Sequence, residues 1–205
     1  MVYYFTSPTD PTVTMYMGKD KHENEYLIKY AQHHDIWFHV DGLSSAHVYL
    51  RTEKPITTYE EVNPQLVIEC CSLTKANSIE GCKKNSVAMN WTWATNLLKK
   101  ADMQTGSVSY KNGKLVNKCV VEKNKDSVKA LMKTKTERFP NFEVEYNEYL
   151  LMVQKEQNAE VLAGKMAQEE EEKEGISKAN AAKKEWDDQN EYGDEDEKQY
   201  AGGNN

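Results

Sequence analysis

The chain has 205 residues, of which 39% are apolar and 29% are charged, so we expect one packed core with an appended polar segment. It has no run of about 18 consecutive apolar residues, which excludes a membrane-spanning helix of ordinary length. Charge is uneven: residues 1–140 hold 19 Lys+Arg and 15 Asp+Glu, a net of +4, whereas residues 141–205 hold 7 and 18, a net of −11. A mildly basic domain is therefore predicted to precede an acidic extension.

Seven short segments rich in β-branched and aromatic residues, bounded by turn residues, predict strands. They are residues 2–5, 13–17, 35–40, 46–51, 87–93, 108–110 and 115–121. Lys111, Asn112 and Gly113 separate the last two segments. Because an Asn-Gly pair is typical of a tight hairpin turn, we expect these two strands to pair with each other.

Helices are predicted over residues 20–32, from Pro64, from Lys125 and over residues 141–172. Asp20 suits an N-cap and is followed three residues later by Glu23, as in a capping box. Asn63 can cap the second helix, because proline is tolerated at the first helical position that follows it. The elements together predict an α+β fold: a mixed, mainly antiparallel β-sheet with packed helices.

Three parts of the chain are expected. Residues 1–140 form the mixed domain, because the residue before Pro140 disfavours helix and the charge changes sign there. Residues 141–175 form a helical, coiled-coil-like extension. Residues 176–205 are polar and acidic and are expected to be a disordered tail.

The cellular setting follows from the opening residues and the cysteines. The segment MVYYFTSPTD has no basic region followed by an apolar run, so we expect no signal peptide. Cys70, Cys71, Cys82 and Cys119 have no zinc-knuckle spacing, and free thiols fit a reducing compartment. We expect a cytoplasmic protein, with a nuclear one as the alternative, and no metal or other cofactor.

Residues 35–51 are the first candidate nucleic-acid site. Side chains alternate faces along a strand, so if the aliphatic residues point to the core, the opposite faces of the two strands coincide. That shared face would carry Trp37, His39, His47, Tyr49 and Arg51. Aromatic rings beside a cation and imidazoles suit a single-stranded nucleic acid, and Ser44 and Ser45 could hydrogen-bond a phosphate. The alternative is structural, with Trp37 packed under the first helix and both histidines satisfied internally.

A second candidate is the basic stretch from Lys99 to Arg138, which holds 11 Lys+Arg against 4 Asp+Glu, a net of +7. Its lysines include Lys99, Lys100, Lys111 and Lys114, followed by Lys118, Lys123, Lys125, Lys129, Lys133 and Lys135. We expect a cationic ridge that contacts phosphates in a salt-sensitive way; an ordinary solvated face is the alternative.

Catalysis has weaker support. His33, His34, Asp35, His39 and His47 leave a metal-dependent hydrolase as an alternative, but their spacing matches no established ligand set. The phosphate-binding and nucleophile motifs of common enzymes are absent from the sequence. We therefore predict a binding protein and not an enzyme.

Several segments, in the order in which they occur along the chain, resemble those of the NFACT RNA-binding domain. They are MGKDKHENE at residues 17–25, DIWFHV at 35–40, SSAHV at 44–48, NLLKK at 96–100 and GSV at 106–108. The resemblance covers roughly residues 1–120 and implies nucleic-acid binding, with Lys19, Lys21 and Asn24 added to the expected site. Large proteins with this domain act at the large ribosomal subunit during rescue of stalled translation, alongside tRNA.

The favoured function is therefore an RNA-binding module that is associated with the ribosome or tRNA, through rRNA or tRNA, and linked to translation or its quality control. One alternative is a protein adaptor that uses the helical extension and the acidic tail to bind a partner such as a ribosomal protein. Another is a DNA-binding sensor, because stacking and phosphate contacts do not by themselves select the sugar.

Overall fold

The computed structural model describes residues 1–191 of the chain. In that range nine strands are present: β1 (Val2–Thr6), β2 (Thr14–Gly18), β3 (Ile36–Val40), β4 (Val48–Arg51), β5 (Ser86–Trp93), β6 (Leu97–Leu98), β7 (Ser109–Tyr110), β8 (Asn117–Glu122) and β9 (Thr136–Arg138). Four α-helices accompany them: α1 (Lys21–Tyr30), α2 (Pro64–Ala76), α3 (Lys125–Lys133) and α4 (Phe142–Glu191). None of these helices is long and apolar enough to cross a bilayer.

Seven of the strands form one sheet in the order β8-β5-β3-β4-β2-β1-β9, and every neighbouring pair is antiparallel. The predicted α+β class is thus confirmed. At the centre, Trp37 of β3 lies opposite Tyr49 of β4, and His39 lies opposite Asn90 of β5. This register puts Trp37, His39, Tyr49 and Asn90 on the same face of the sheet.

Both faces of the sheet are covered. On one face, Ile36, Phe38 and Leu50 pack with apolar residues of α2 and with Leu131 of α3. On the other face a second cluster packs beneath α1 and the segments around β6 and β7, and it comprises Val2, Tyr16, Leu27, Trp37, Tyr49, Ala94 and Leu97. The aromatic face of the central hairpin is therefore an interior surface.

The predicted helix starts are confirmed. The Asp20 side chain accepts hydrogen bonds from the backbone N–H groups of His22 and Glu23, at 2.9 and 3.0 Å. Asn63 accepts from Gln65 N–H at 2.9 Å, and Pro64 occupies the first helical position. Each cap accepts from backbone N–H groups that the helix itself leaves without partners. Because these partners lie two or three residues away, the helix starts could be predicted from the neighbouring sequence alone.

The predicted hairpin around Asn112 and Gly113 is wrong. Strand β7 pairs with β6, and β8 pairs with β5 at one side of the large sheet. A two-residue Asn-Gly turn needs positive φ at both positions, but Gly42 and Gly106 are the residues with positive φ in the described chain. Instead, Asn112 caps a 3₁₀ turn by accepting from Lys114 N–H, and its own N–H donates to Asn96 Oδ1 at 2.9 Å.

The chain divides into two compact units, and the first is Met1–Tyr149. It extends past the boundary predicted at Pro140 because the start of α4 packs within it. The Phe142 ring stacks on Tyr26 at 5.7 Å between ring centroids, and the Tyr149 hydroxyl accepts from His33 N–H at 3.2 Å.

The second unit begins at Leu150 and contains the rest of α4. The predicted helix end at residue 175 is corrected, since α4 continues to Glu191. Good helix formers follow residue 175, and Glu174 pairs with Lys178 one turn later at 2.7 Å, in the favourable acidic-before-basic order. The remainder of the predicted disordered tail, residues 192–205, lies outside the described residues.

Candidate nucleic-acid interface

A groove of about 930 Å³ opens beside the β3–β4 loop. Its walls are the start of α1, the residues 41–47 that join the two strands, and residues 104–110. Eight predicted site residues line it: Lys19, Lys21, Asn24, Trp37, His39, Ser44, Ser45 and His47. The lining runs from Tyr3 to Tyr110, so the groove brings together residues up to 107 positions apart in the chain. The other six, Tyr49, Arg51, Lys99, Lys100, Lys111 and Lys114, do not line it.

Trp37 and Tyr49 cannot act as exposed stacking platforms. Their side chains are 1% and 0% exposed, and Tyr49 stacks on Tyr16 with 5.0 Å between ring centroids. The prediction was right about the shared face but wrong about its exposure, because α1 and residues 94–110 cover that face. Both aromatic rings belong to the core, and of the two only Trp37 lines the groove.

The two histidines form a connected pair with Trp37. The His39 ring lies parallel to the Trp37 ring, with 5.5 Å between ring centroids. The His47 ring meets the His39 ring edge-on, with 5.0 Å between their centroids. Trp37 Nε1 donates to His47 Nδ1 at 3.0 Å. Because an indole N–H can only donate, His47 Nδ1 must accept, and the proton of the neutral ring sits on Nε2.

Both histidines are neutral near pH 7. Burial, followed by the neighbouring His39, lowers the pKa of His47 to about 3. Burial also lowers the pKa of His39, whose Nδ1 donates to the Val40 carbonyl at 2.8 Å. The partly exposed His39 can therefore offer a ring face to a ligand but no positive charge, whereas His47 is 2% exposed and lies behind it.

The Arg51 guanidinium is engaged within the domain. It forms a bidentate pair with the buried Asp35, at 2.8 Å from Nε and 2.7 Å from a terminal nitrogen. The Tyr16 hydroxyl donates to the same carboxylate at 2.7 Å, and Gln32 N–H donates at 2.6 Å. The Asp35 carboxylate therefore accepts four hydrogen bonds from within the domain. In the described residues no group of three potential metal ligands comes together.

The expected lysine ridge does not have a single role. Lys99 bridges Glu25 at 2.8 Å and the carbonyls of Gln104 and Ser107, at 2.8 and 2.9 Å. It therefore positions the loop that forms one groove wall. Lys111 donates to the Thr95 carbonyl at 2.7 Å, which anchors β7. Lys100 and Lys114 are exposed, outside the groove.

The rim of the groove carries the charges that a phosphate could meet. Lys19 and Lys21 are both exposed and flank Asp20, whose carboxylate is already used as the α1 cap. Backbone N–H bonds from Glu23 and then His22 lower the pKa of Asp20. Ser44 is also exposed on the rim, whereas the Ser45 hydroxyl is engaged with the backbone of Val40 and Ala46.

Sequence reasoning missed several groove residues. Asn90 donates through Nδ2 to Asp41 Oδ1 at 2.9 Å, and Lys118 donates to the other oxygen of Asp41 at 3.1 Å. Asn90 could have been singled out from the sequence, because it is a polar residue in the middle of the predicted strand 87–93. Gly106 has φ +84°, a backbone conformation that favours glycine.

Comparisons with known proteins identify the family of this chain. The sequence profile of the NFACT protein RNA binding domain matches residues 1–112. Coiled-coil domain-containing protein 25 of Danio rerio is 50% identical over 147 residues, 71% of this chain and 70% of that protein. The protein of the same name in Bos taurus is 49% identical over 148 residues, 71% of each chain.

Among solved structures, the C-terminal part of the fibronectin/fibrinogen-binding protein from Streptococcus suis aligns with a TM-score of 0.53 at 19% identity. The alignment covers 62% of this chain and 48% of that one, and at this identity it speaks for the fold alone. The profile match spans more than half of the chain, and the identities to stand-alone relatives extend beyond it. The chain therefore belongs to the NFACT RNA-binding domain family.

Proposed function

We propose that the domain binds single-stranded RNA in the groove beside the β3–β4 loop. The observation that carries the proposal is the convergence of four of the five segments that resemble the family; the fifth, residues 96–100, does not line the groove. Residues from 17–25, 35–40, 44–48 and 106–108 all line this one groove, although they come from four different parts of the fold. The protein is proposed to act by binding and not by catalysis.

The chemistry of the groove fits an unpaired strand. Lys19 and Lys21 on the rim can neutralise phosphates, and the partly buried His39 can extend its stack with Trp37 onto a base. Ser44 adds an exposed hydroxyl for a sugar or phosphate oxygen. Stacking is tolerant of base identity and phosphate contact makes binding salt-sensitive, which are the two signatures of single-strand binding.

Titration of a fluorescent single-stranded RNA at several salt concentrations tests the proposal. Each phosphate contact on a single strand contributes roughly 0.7 to the slope of log affinity against log salt, so Lys19→Ala/Lys21→Ala should reduce the slope by about 1.4. Lys54→Ala is the matched control, because Lys54 is exposed and does not line the groove. An unchanged slope in the double variant, or equal losses in both variants, would contradict the proposal.

We further propose that the bound RNA is rRNA or tRNA on the ribosome and that the protein acts in the cytoplasm in translation or its quality control. The support is the family membership, because large proteins of the family act at the ribosome. Sedimentation of purified ribosomes with the protein tests this step: wild type should co-sediment and Lys19→Ala/Lys21→Ala should not. Competition by single-stranded DNA of the same sequence separates RNA from DNA as the preferred ligand.

A second candidate function is a protein adaptor, favoured by α4. Its exposed apolar side chains include Leu151, Leu162 and Trp186, and an acidic run, EEEEKE, occupies residues 169–174. Exposed apolar groups beside charges are typical of a protein-binding surface. Co-precipitation with ribosomal proteins should fall for Leu151→Lys/Leu162→Lys while RNA affinity is kept; unaltered recovery would count against the adaptor.

A further inference from the structure

Two cysteines touch on the face of the sheet that packs against α2. Sγ of Cys71 on α2 and Sγ of Cys119 on β8 are 3.6 Å apart, which is contact distance for two sulfur atoms. Both thiols are free, and the two residues are 48 positions apart in the chain, so the tertiary fold creates the pair. A sulfur–sulfur bond is about 2.05 Å long, so the two atoms need to approach by only about 1.5 Å to form one.

Cys119 is the accessible member of the pair. It is partly exposed, whereas Cys71 is 1% exposed. Both residues line a groove of about 460 Å³ whose walls include Val67 of α2 and Trp91 of β5. Because Cys119 is the more exposed of the two, a small solute in this groove meets its thiol first, with Cys71 in contact with it.

The contact makes the two thiols chemically unequal. The hydrogen bond from Cys71 lowers the pKa of Cys119, whereas the same bond and then burial raise the pKa of Cys71. The thiolate is the reactive form, so Cys119 is the nucleophile and Cys71 stays protonated beside it. An accessible thiol of lowered pKa next to a second thiol that can resolve it is the arrangement found in redox-sensing cysteines.

The other two cysteines lack this arrangement. Cys70 is 0% exposed, and burial raises the pKa of its thiol. Cys82 is partly exposed, but its Sγ donates to the Ile79 carbonyl at 3.5 Å and it does not line the groove that holds the pair. Cys70 and Cys82 are therefore internal controls for a reaction between Cys71 and Cys119.

We propose that Cys71 and Cys119 form a peroxide-responsive pair that closes into a disulfide between α2 and β8. Hydrogen peroxide is the oxidant. The Cys119 thiolate attacks one peroxide oxygen, so that an S–O bond forms, the O–O bond breaks and hydroxide leaves, which gives a sulfenic acid. The Cys71 sulfur loses its proton and attacks the Cys119 sulfur, so that the S–S bond forms, the S–O bond breaks and the oxygen leaves as water. Two electrons pass from the two thiols to the peroxide, which ends as two water molecules.

The disulfide staples a strand at the edge of the sheet. Strand β8 is the last in the strand order and pairs with β5 alone. A bond from Cys119 to α2 closes a long loop and restricts the unfolded chain, so the oxidised protein should melt roughly 10 °C higher than the reduced one. Neither cysteine lines the groove beside the β3–β4 loop, so the staple and RNA binding can each succeed or fail without the other.

Peroxide treatment of the reduced full chain, followed by alkylation of free thiols and peptide mapping without reductant, tests the proposal. The tryptic peptide 119–123 should be linked to the peptide 52–75, with the loss of two hydrogen atoms, and dithiothreitol should separate them. A link to Cys82, a link between two chains, or a sulfinic acid on Cys119 with Cys71 still free would overturn the proposal. An unmodified protein would overturn it as well.

Variants assign the partner, because the peptide 52–75 contains both Cys70 and Cys71. Cys70→Ala/Cys82→Ala should still form the link and gain the higher melting temperature, whereas Cys71→Ala and Cys119→Ala should form no link. Circular dichroism identifies a variant that fails to fold, and Cys119→Ala changes a partly exposed position, so it keeps the test open if Cys71→Ala does not fold. A link that survives in folded Cys71→Ala or is lost in folded Cys70→Ala/Cys82→Ala would overturn the assignment. A linked wild-type protein whose melting temperature does not rise would overturn the staple.

Discussion

Replacing Arg51 by methionine separates a structural role from a nucleic-acid contact. The substitution keeps the length and apolar stem of the side chain but removes the guanidinium that pairs with Asp35. Asp35 is 1% exposed, so the carboxylate would keep only the donors from Tyr16 and Gln32. Breaking one partner of a buried ion pair costs about 3–5 kcal/mol; Arg51 itself is 33% exposed, so a cost of about 2–4 kcal/mol is expected.

Urea unfolding followed by tryptophan fluorescence measures this cost, since the buried Trp37 packs in one cluster with Tyr16, which hydrogen-bonds both Arg51 and Asp35. The free energy of unfolding should fall, while RNA affinity of the folded protein should be unchanged, because Arg51 does not line the groove. Arg138→Met is the control: Arg138 is exposed and lies over the Tyr4 ring, so its loss should cost less than about 1 kcal/mol. An Arg51→Met protein of normal stability that binds RNA poorly would refute the reasoning.

Further substitutions test the rest of the site. Burial lowers the pKa of His47 to about 3 in the folded chain, against about 6.5 when unfolded, so its contribution to stability is complete above pH 6.5. Below pH 6.5 the free energy of unfolding should fall by about 1.4 kcal/mol per pH unit. Urea unfolding at several pH values should show a weaker dependence of this free energy on pH in His47→Gln. Gly18→Ala should lower the free energy of unfolding by about 1–3 kcal/mol, because its Cβ meets Asn24, whereas Gly164→Ala in open space on α4 should not destabilise. Lys99→Met should accelerate amide hydrogen exchange at residues 104–107, and unchanged exchange would mean that Lys99 does not hold that loop.

Local signals explain which elements could be predicted. Asp20 and Asn63 were found because a cap satisfies backbone groups within its own turn, so the relevant partners are nearby in sequence. The strands of the central hairpin follow a two-residue alternation that needs no knowledge of the rest of the fold. That alternation places Trp37 and Tyr49 on one face, whereas the register that sets them opposite each other depends also on the loop between the strands.

Non-local packing explains the errors. Whether the Trp37 face is exposed depends on α1 and on residues 94–110, which no pattern within the hairpin reveals. The turn preference of Asn112 is overridden by its bonds to Asn96, and Lys99 is occupied by Glu25, 74 residues away. The residues that the family resemblance added, Lys19, Lys21 and Asn24, line the groove with His39 and His47, a grouping that tertiary structure creates and no local pattern reveals.

Cross-linking tests the central claim, that RNA lies in the groove beside the β3–β4 loop, most directly. Labelled single-stranded RNA would be photo-cross-linked to the full chain, and the modified peptides would be mapped by mass spectrometry. The account predicts cross-links in residues 18–24, 39–47 and 104–110, with their loss in Lys19→Ala/Lys21→Ala. Cross-links confined to the basic stretch 111–138 or to α4, with none in the groove, would contradict it.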